Sequence, residues 1–251
     1  LSWEKTSTLN LGLDMTLFKR YTLNLSWYDK ITNDLITDVS IVPSSGFTSY
    51  KDNMGKVRNR GVEVNLNVNA IQKQDWGLNV FFRASHNKNR IMEISDALKE
   101  YNQKVDDYYS KYPNYNKPLL KYTEGASLTS IYAVRSLGIS PANGQEVFLD
   151  VNGKVTYDWN ATNQVVVGNT EPKLQGSFGF NFRWKRWTLF TAALFETGGD
   201  LYNSTLVDNV ECADIWKSNV DKRVLSDRWR KPGDIAPFYD LGQQISTRPT
   251  T

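Results

Sequence analysis

LNLGLDMTLFKRYTLNLSW, residues Leu9–Trp27, decides the fold. Leu9, Leu11, Leu13, Met15 and Leu17 alternate with Asn10, Gly12, Asp14 and Thr16, and beyond Phe18-Lys19-Arg20 the apolar positions Tyr21, Leu23, Leu25 and Trp27 alternate with Thr22, Asn24 and Ser26. A period of two places the apolar side chains of each strand on one face of a sheet. The opposite face is polar throughout, with Tyr28 as an aromatic exception. A strand that spans a bilayer needs about 9–11 residues, and Leu9–Phe18 supplies that length before a short basic turn.

The pattern recurs twice. Val62, Val64, Leu66, Val68 and Ala70 alternate with Glu63, Asn65, Asn67 and Asn69, and a link over 71–75 leads to Trp76, Leu78, Val80, Phe82 and Ala84. Later Phe178, Phe180, Phe182 and Trp184 turn at Lys185-Arg186 into Trp187, Leu189, Thr191, Ala193 and Phe195. The turns near 19–20, 71–75 and 185–186 are edged by Phe18, Tyr21, Trp76, Trp184 and Trp187. Amphipathic rings in such positions settle at the headgroup level of a membrane. The opposite strand ends open into long polar segments at about 33–56, 90–125 and 197–251. Short turns on one side and long loops on the other predict an all-β, antiparallel transmembrane barrel, with periplasmic turns and extracellular loops.

Composition agrees with that class. The 251 residues contain 40% hydrophobic and 13% aromatic residues, without the run of about 18 apolar residues that a membrane helix requires. Thirty basic and 27 acidic residues are interspersed, for a net charge of +3, so no stripe for nucleic acid stands out. Cys212 is the single cysteine, which excludes an intrachain disulfide. The chain starts at Leu1 without a signal segment and is expected to be a piece of something longer.

Between the second and third hairpins the reading is less regular. Asp96–Tyr109 can form a short helix that Pro113 and Pro118 cannot extend. Leu128–Leu137 reads as a strand, Pro141-Ala142-Asn143-Gly144 as a turn, and Asn152-Gly153 as a hairpin turn between Glu146–Asp150 and Lys154–Tyr157. If the strand at 128–137 spans, a further strand has to return within 139–173, which brings the total to roughly eight spanning strands.

No motif for enzymatic chemistry stands out. A P-loop, a GxGxxG segment, HExxH and a Cys/His cluster are all missing from the sequence, and neither a cofactor nor a metal is expected. His86 is the single histidine and shares its parity with the apolar positions Trp76–Ala84. Asp106-Asp107 read as a solvated face rather than an acid–base pair, and Asp150-Val151-Asn152-Gly153 lacks the remaining ligands of a calcium loop.

A set of short motifs, in order across residues 3–234, resembles the SusC/RagA-type TonB-dependent outer-membrane transporters of Bacteroidetes. They are Trp3-Glu4-Lys5-Thr6, Tyr28-Asp29-Lys30, Asp34-Leu35-Ile36, Asn53-Met54-Gly55, Asn59-Arg60-Gly61-Val62-Glu63, Asn87-Lys88-Asn89 and Glu124-Gly125. Gly138-Ile139-Ser140-Pro141, Asn143-Gly144, Gly168-Asn169-Thr170-Glu171-Pro172, Arg228-Trp229 and Lys231-Pro232-Gly233-Asp234 complete the series. The resemblance implies a segment from the carboxy-terminal part of a barrel of about 22 strands with a plugged lumen, the plug and TonB-box segment lying elsewhere.

It further implies active import of an oligosaccharide or a peptide, driven through TonB and assisted by a SusD-like surface lipoprotein, in the outer membrane. Asn10, Asp14, Asn24, Glu63, Asn65, Asn67, Asn69, Asn79, Arg83, Asn181 and Arg183 are the expected lumen wall. The loop aromatics Tyr108, Tyr109, Tyr112, Tyr115, Trp159, Tyr202, Trp216 and Trp229 are candidates for stacking on cargo, or for packing loops against each other. A passive porin-like channel and a soluble β-rich glycan-binding or adhesin domain are the alternatives.

Overall fold

The computed structural model describes residues 2–40, 49–112, 115–213, 215, 219–240 and 249–251. Six long strands make one antiparallel sheet in the order β1(Lys5–Leu17), β2(Tyr21–Asn33), β5(Gly55–Gln72), β6(Trp76–Ile94), β12(Leu174–Trp184) and β13(Trp187–Thr197). A small hairpin of β3(Ile36–Ser40) and β4(Ser49–Asn53) lies between β2 and β5. The three connections within β1–β2, β5–β6 and β12–β13 lie at one end of the sheet, and all longer connections leave from the other.

Register turns the alternation into two continuous faces. One face carries the rows Leu13–Leu25–Val64–Ala84–Gly176–Phe195, Met15–Leu23–Leu66–Phe82–Phe178–Ala193 and Leu17–Tyr21–Val68–Val80–Phe180–Thr191. None of Leu11, Leu25, Leu66 and Phe180 is buried, and Leu11 is 60% exposed. A second layer that would seal this face is absent among the described residues, so the sheet is no half of a sandwich. On β12 the outward positions run from Leu174 to Trp184. Ten residue steps at ~3.3 Å, projected at a tilt of ~40°, give a band of about 25 Å, the height of the hydrocarbon-facing belt of a barrel. At the turn end Trp76 packs edge-on against Phe182 at 5.5 Å and lies 6.2 Å from Trp184.

The region between β6 and β12 departs from the expectation. β12 pairs directly with β6, from Gln175↔Ser85 to Trp184↔Trp76, so no return strand is needed within 139–173 and the sheet has six strands rather than eight. β6 runs away from the turn end and β12 runs back, which leaves 95–173 as one long excursion beyond the loop end. It begins with α1(Asp96–Lys111), capped by the Ser95 side chain. β7(Ser130–Ala133) pairs with β11(Val165–Asn169), and β8(Arg135–Ile139), β9(Glu146–Leu149) and β10(Val155–Thr156) form a separate small sheet. The run 126–137 holds neither Pro nor Gly and is long enough to span, but it divides at Val134, with β7 pairing to β11 and β8 to β9 within the cap instead of extending the large sheet.

The buried core sits in this cap, not in the sheet. Met54, Val57 and Ile91, at the loop end of the sheet, pack with Leu98, Tyr101, Val105 and Tyr109 of α1 and with Tyr122 and Ala161. A second cluster joins Val210, Val224 and Phe238.

Candidate functional site

The polar face is the first element of the site. All eleven expected lumen residues lie on the side of the sheet opposite the apolar rows, as register requires: Asp14–Asn24–Asn65–Arg83 form one row and Asn69–Asn79–Asn181 another. Asn24 donates to Asp14 Oδ1 at 2.5 Å, Asn79 to Asn69 Oδ1 at 2.9 Å, and Arg183 reaches the carbonyls of Lys73 and Gln74. Amide side chains carry both donors and acceptors, so neighbours pair along the wall while spare groups remain for water or cargo.

Towards the loop end this wall becomes a connected network. Tyr28 donates to Asn87 Oδ1 at 3.0 Å, Asn87 donates to Glu171 at 2.6 Å, and Asn89 bridges from Asn59 to the backbone N–H of Leu128. These bonds anchor the cap to the polar side of the sheet. The face is not uniformly polar, however. Phe81 and Phe190 stack at 6.0 Å, and Gly179 makes room, since a Cβ there would come within 2.7 Å of the Phe81 ring. Leu194, 87% exposed, shares this side. Sequence reasoning assigned these three no role; the signal was the Phe81-Phe82 pair and the out-of-phase apolar positions of β13.

Tyr108, Tyr109, Tyr112, Tyr115 and Trp159 come together around the end of α1. Tyr108 lies 4.5 Å from Tyr112 and 5.3 Å from Tyr115, and Tyr109 lies 5.3 Å from Trp159. Tyr109 is fully buried, and burial pushes its hydroxyl pKa up to about 12. Its ring therefore packs the cap, whereas Tyr112 is 40% exposed. Tyr202 donates to the Asn116 carbonyl at 2.9 Å, tying two loops, and burial raises its pKa. Trp229 is buried over Gly144 and donates to the Pro141 carbonyl at 3.0 Å. Trp216 lies outside the described residues.

Beside Tyr202 the cap forms an open cleft of about 310 Å³, lined among others by Ile131, Val167, Asp200, Leu206 and Glu211. Burial, reinforced by repulsion from Glu146, pushes the Glu211 carboxyl up to about 7, against the pull of Arg228. His86 is exposed on the outward face, where its Nδ1 meets the Lys173 carbonyl. Asp106 pairs with Lys121 at 2.7 Å, and Asp107 accepts from Gln103 instead. Asp150 Oδ1 accepts the backbone N–H groups of Asn152 and Lys154 at 2.8 Å each, which occupies that oxygen within its own turn.

Residues 1–227 match the family model described as TonB dependent receptor-like, beta-barrel. TonB-dependent receptor P39 of Formosa agariphila is 25% identical over 96% of the chain and 26% of its own length. TonB-dependent receptor SusC of Bacteroides thetaiotaomicron is 26% identical over 72% of the chain and 19% of its own length. The solved RagAB peptide importer in its open-open state superposes with a TM-score of 0.73 at 24% identity, covering all of this chain and 26% of that one. The chain thus spans about a quarter of the length of P39. With its two-faced sheet, its belt of tryptophans and this match over most of its length, the chain belongs to the TonB-dependent receptor β-barrel family.

Proposed function

We propose that this chain forms part of the wall of an outer-membrane importer that takes up an oligosaccharide or a peptide, energised through TonB and covered by a SusD-like surface lipoprotein. The observation that carries the reading is the six-stranded sheet whose one face is apolar over about 25 Å and whose other is lined by paired asparagines and arginines. Hydrocarbon on one side and water on the other is the environment in which both faces are stable. A barrel of about 22 strands is too wide for side chains to fill, so it needs a plug, and moving a plug needs work supplied from outside the membrane. The RagAB peptide importer, a neighbour in fold, carries peptide in its name and supports the peptide alternative, while the oligosaccharide alternative stands on the motif resemblance.

In this reading the turns near 19–20, 71–75 and 185–186 face the periplasm and the long connections face the exterior. The excursion over 95–173 then forms much of the outer cap, with Tyr108 and Tyr112 as rings that can stack on cargo and Tyr109, Tyr202 and Trp229 holding the cap's shape. The test uses the full-length protein in its own cells. Deleting its gene should abolish growth on the cargo as sole nutrient, and collapsing the inner-membrane proton gradient should stop uptake. Uptake that persists without TonB would replace this reading with a passive channel. In a Cys212→Ser background, thiol labelling of Asn152→Cys, but not of Lys185→Cys, on intact cells would establish the sidedness.

A further inference from the structure

The outward face changes character in its last two rows at the loop end. Up to Leu11–Trp27–Val62–His86 the rows are apolar apart from their margins; the next two read Leu9–Asp29–Arg60–Lys88 and Ser7–Ile31–Arg58–Arg90. Arg58 therefore stands directly across from Arg90, and Arg60 across from Lys88. Like charges opposed in this way, with Cβ atoms ~5 Å apart, destabilise a strand pair. The local carboxylate, Asp29, is engaged by the two arginines of β5: it accepts from Arg58 through Nε at 2.8 Å and through Nη2, and from Arg60 Nη2 at 2.9 Å. Among the described residues no carboxylate lies within ion-pair distance of Lys88 or Arg90. One step further along, Lys56 is paired in register with Glu93, so the imbalance is confined to these two rows.

Four cations against one anion, on the side that faces lipid and at the upper margin of the apolar band, constitute a repulsion that an external anion would turn into attraction. Guanidinium groups match phosphate oxygens two at a time. The patch spans two rows, ~7 Å along the strands, and neighbouring strands ~4.8 Å apart, which is the scale of a phosphorylated headgroup. Below it the apolar rows offer a track for acyl chains, and Arg60 already lies over the Trp27 ring at 5.9 Å.

We propose that Arg58, Arg60, Lys88 and Arg90 form a binding site for the phosphate of an outer-leaflet lipid A headgroup, with its acyl chains lying along the Trp27–Val62 and Leu25–Val64 rows. The proposal rests on the reading above that the loop end faces the exterior.

The test takes the full-length protein in detergent, with native mass spectrometry as readout. The probes are phosphorylated lipid A, dephosphorylated lipid A and inorganic phosphate. Phosphorylated lipid A should bind about tenfold more tightly than the dephosphorylated form, and the double variant Arg58→Gln/Arg90→Gln should lose about tenfold. Arg186→Gln, at the opposite end, should leave binding unchanged. A retained heat-modifiable gel shift verifies folding of the double variant, and the exposed Lys88→Gln, expected to lose severalfold, serves if it misfolds. Equal affinity for the two lipids, or unchanged binding in a folded variant, overturns the proposal. Inorganic phosphate that competes at equal concentration overturns the lipid assignment. Sidedness is read separately by the Asn152→Cys labelling, so failure of the orientation and failure of the lipid site are distinguishable.

Discussion

Tyr28 lays its ring across the place where Gly61 lacks a side chain. The two residues are paired in register on the polar face, and a Cβ on Gly61 would run into the Tyr28 ring and approach the His86 backbone oxygen to 2.6 Å. With the ring in that place, the Tyr28 hydroxyl reaches Asn87 and, through it, the Glu171 carboxylate that anchors the cap.

Gly61→Ala is therefore expected to destabilise the barrel by about 2 kcal/mol, since both the ring and the β6 backbone would have to give. Tyr28→Phe removes only the hydroxyl bond and should cost about 1 kcal/mol. The transition temperature of the heat-modifiable gel shift orders the two variants; an alanine as stable as wild type would show that the close approach is relaxed in the membrane.

Tyr109 packs the cap core from the last turn of α1. Its hydroxyl donates to the Lys117 carbonyl at 2.9 Å and accepts the Leu119 N–H at 2.8 Å, at the centre of the cap core. Tyr109→Phe leaves both backbone groups unsatisfied and should cost about 1–3 kcal/mol. Tyr109→Ala adds a cavity and should cost about 3–5 kcal/mol. Hydrogen exchange should report opening of 96–128 in both variants while the six-stranded sheet stays protected.

Arg228 is buried and donates to the carbonyls of Val224, Tyr239 and Glu211 at 3.0, 3.1 and 2.9 Å, and to that of Val210. Its planar fork serves four acceptors at once, which an ammonium on a flexible stem cannot do. Arg228→Lys should accordingly destabilise the Val210–Val224–Phe238 cluster by about 2–4 kcal/mol. Faster proteolysis of the segment after residue 197 measures it, and a lysine variant with wild-type cleavage rates would refute the role given to the fork.

The cap should also lose stability as pH rises. Burial, then repulsion from Glu146, lifts the Glu211 carboxyl to about 7, above its ordinary value of 4.5, and Glu146 is raised by burial in the same direction. Between about pH 4.5 and 7 the folded cap binds more protons than the unfolded chain, so its stability falls across that window and stays low above it. Glu211→Gln should flatten this dependence and make the cap more stable at pH 8 than the wild type. Hydrogen exchange of 200–212 at pH 5, 7 and 8, corrected for intrinsic rates, provides the comparison.

Alternation along Leu9–Leu17, Tyr21–Trp27, Val62–Ala84 and Phe178–Phe195 determined the strands, their hairpins and the face of every wall residue, because a period of two is a local property that pairing preserves. Asp14, Asn65 and Arg83 could be assigned to one wall without coordinates for that reason. The strand count was not legible, since Leu128–Leu137 has strand composition but ends in the cap: β6 satisfies its edge with β12, some 80 residues onward in sequence. The roles of the aromatics were legible only in part. Tyr109 and Tyr112 lie three positions apart at the end of α1, yet one is fully buried and the other 40% exposed. Tyr109 shares the helix face of Leu98, Tyr101 and Val105, a spacing that the sequence holds, but which segments cover that face is decided only by tertiary packing. The opposition of Arg58 to Arg90 likewise exists only in the register, where long-range pairing brings together charges that are 32 residues apart along the chain.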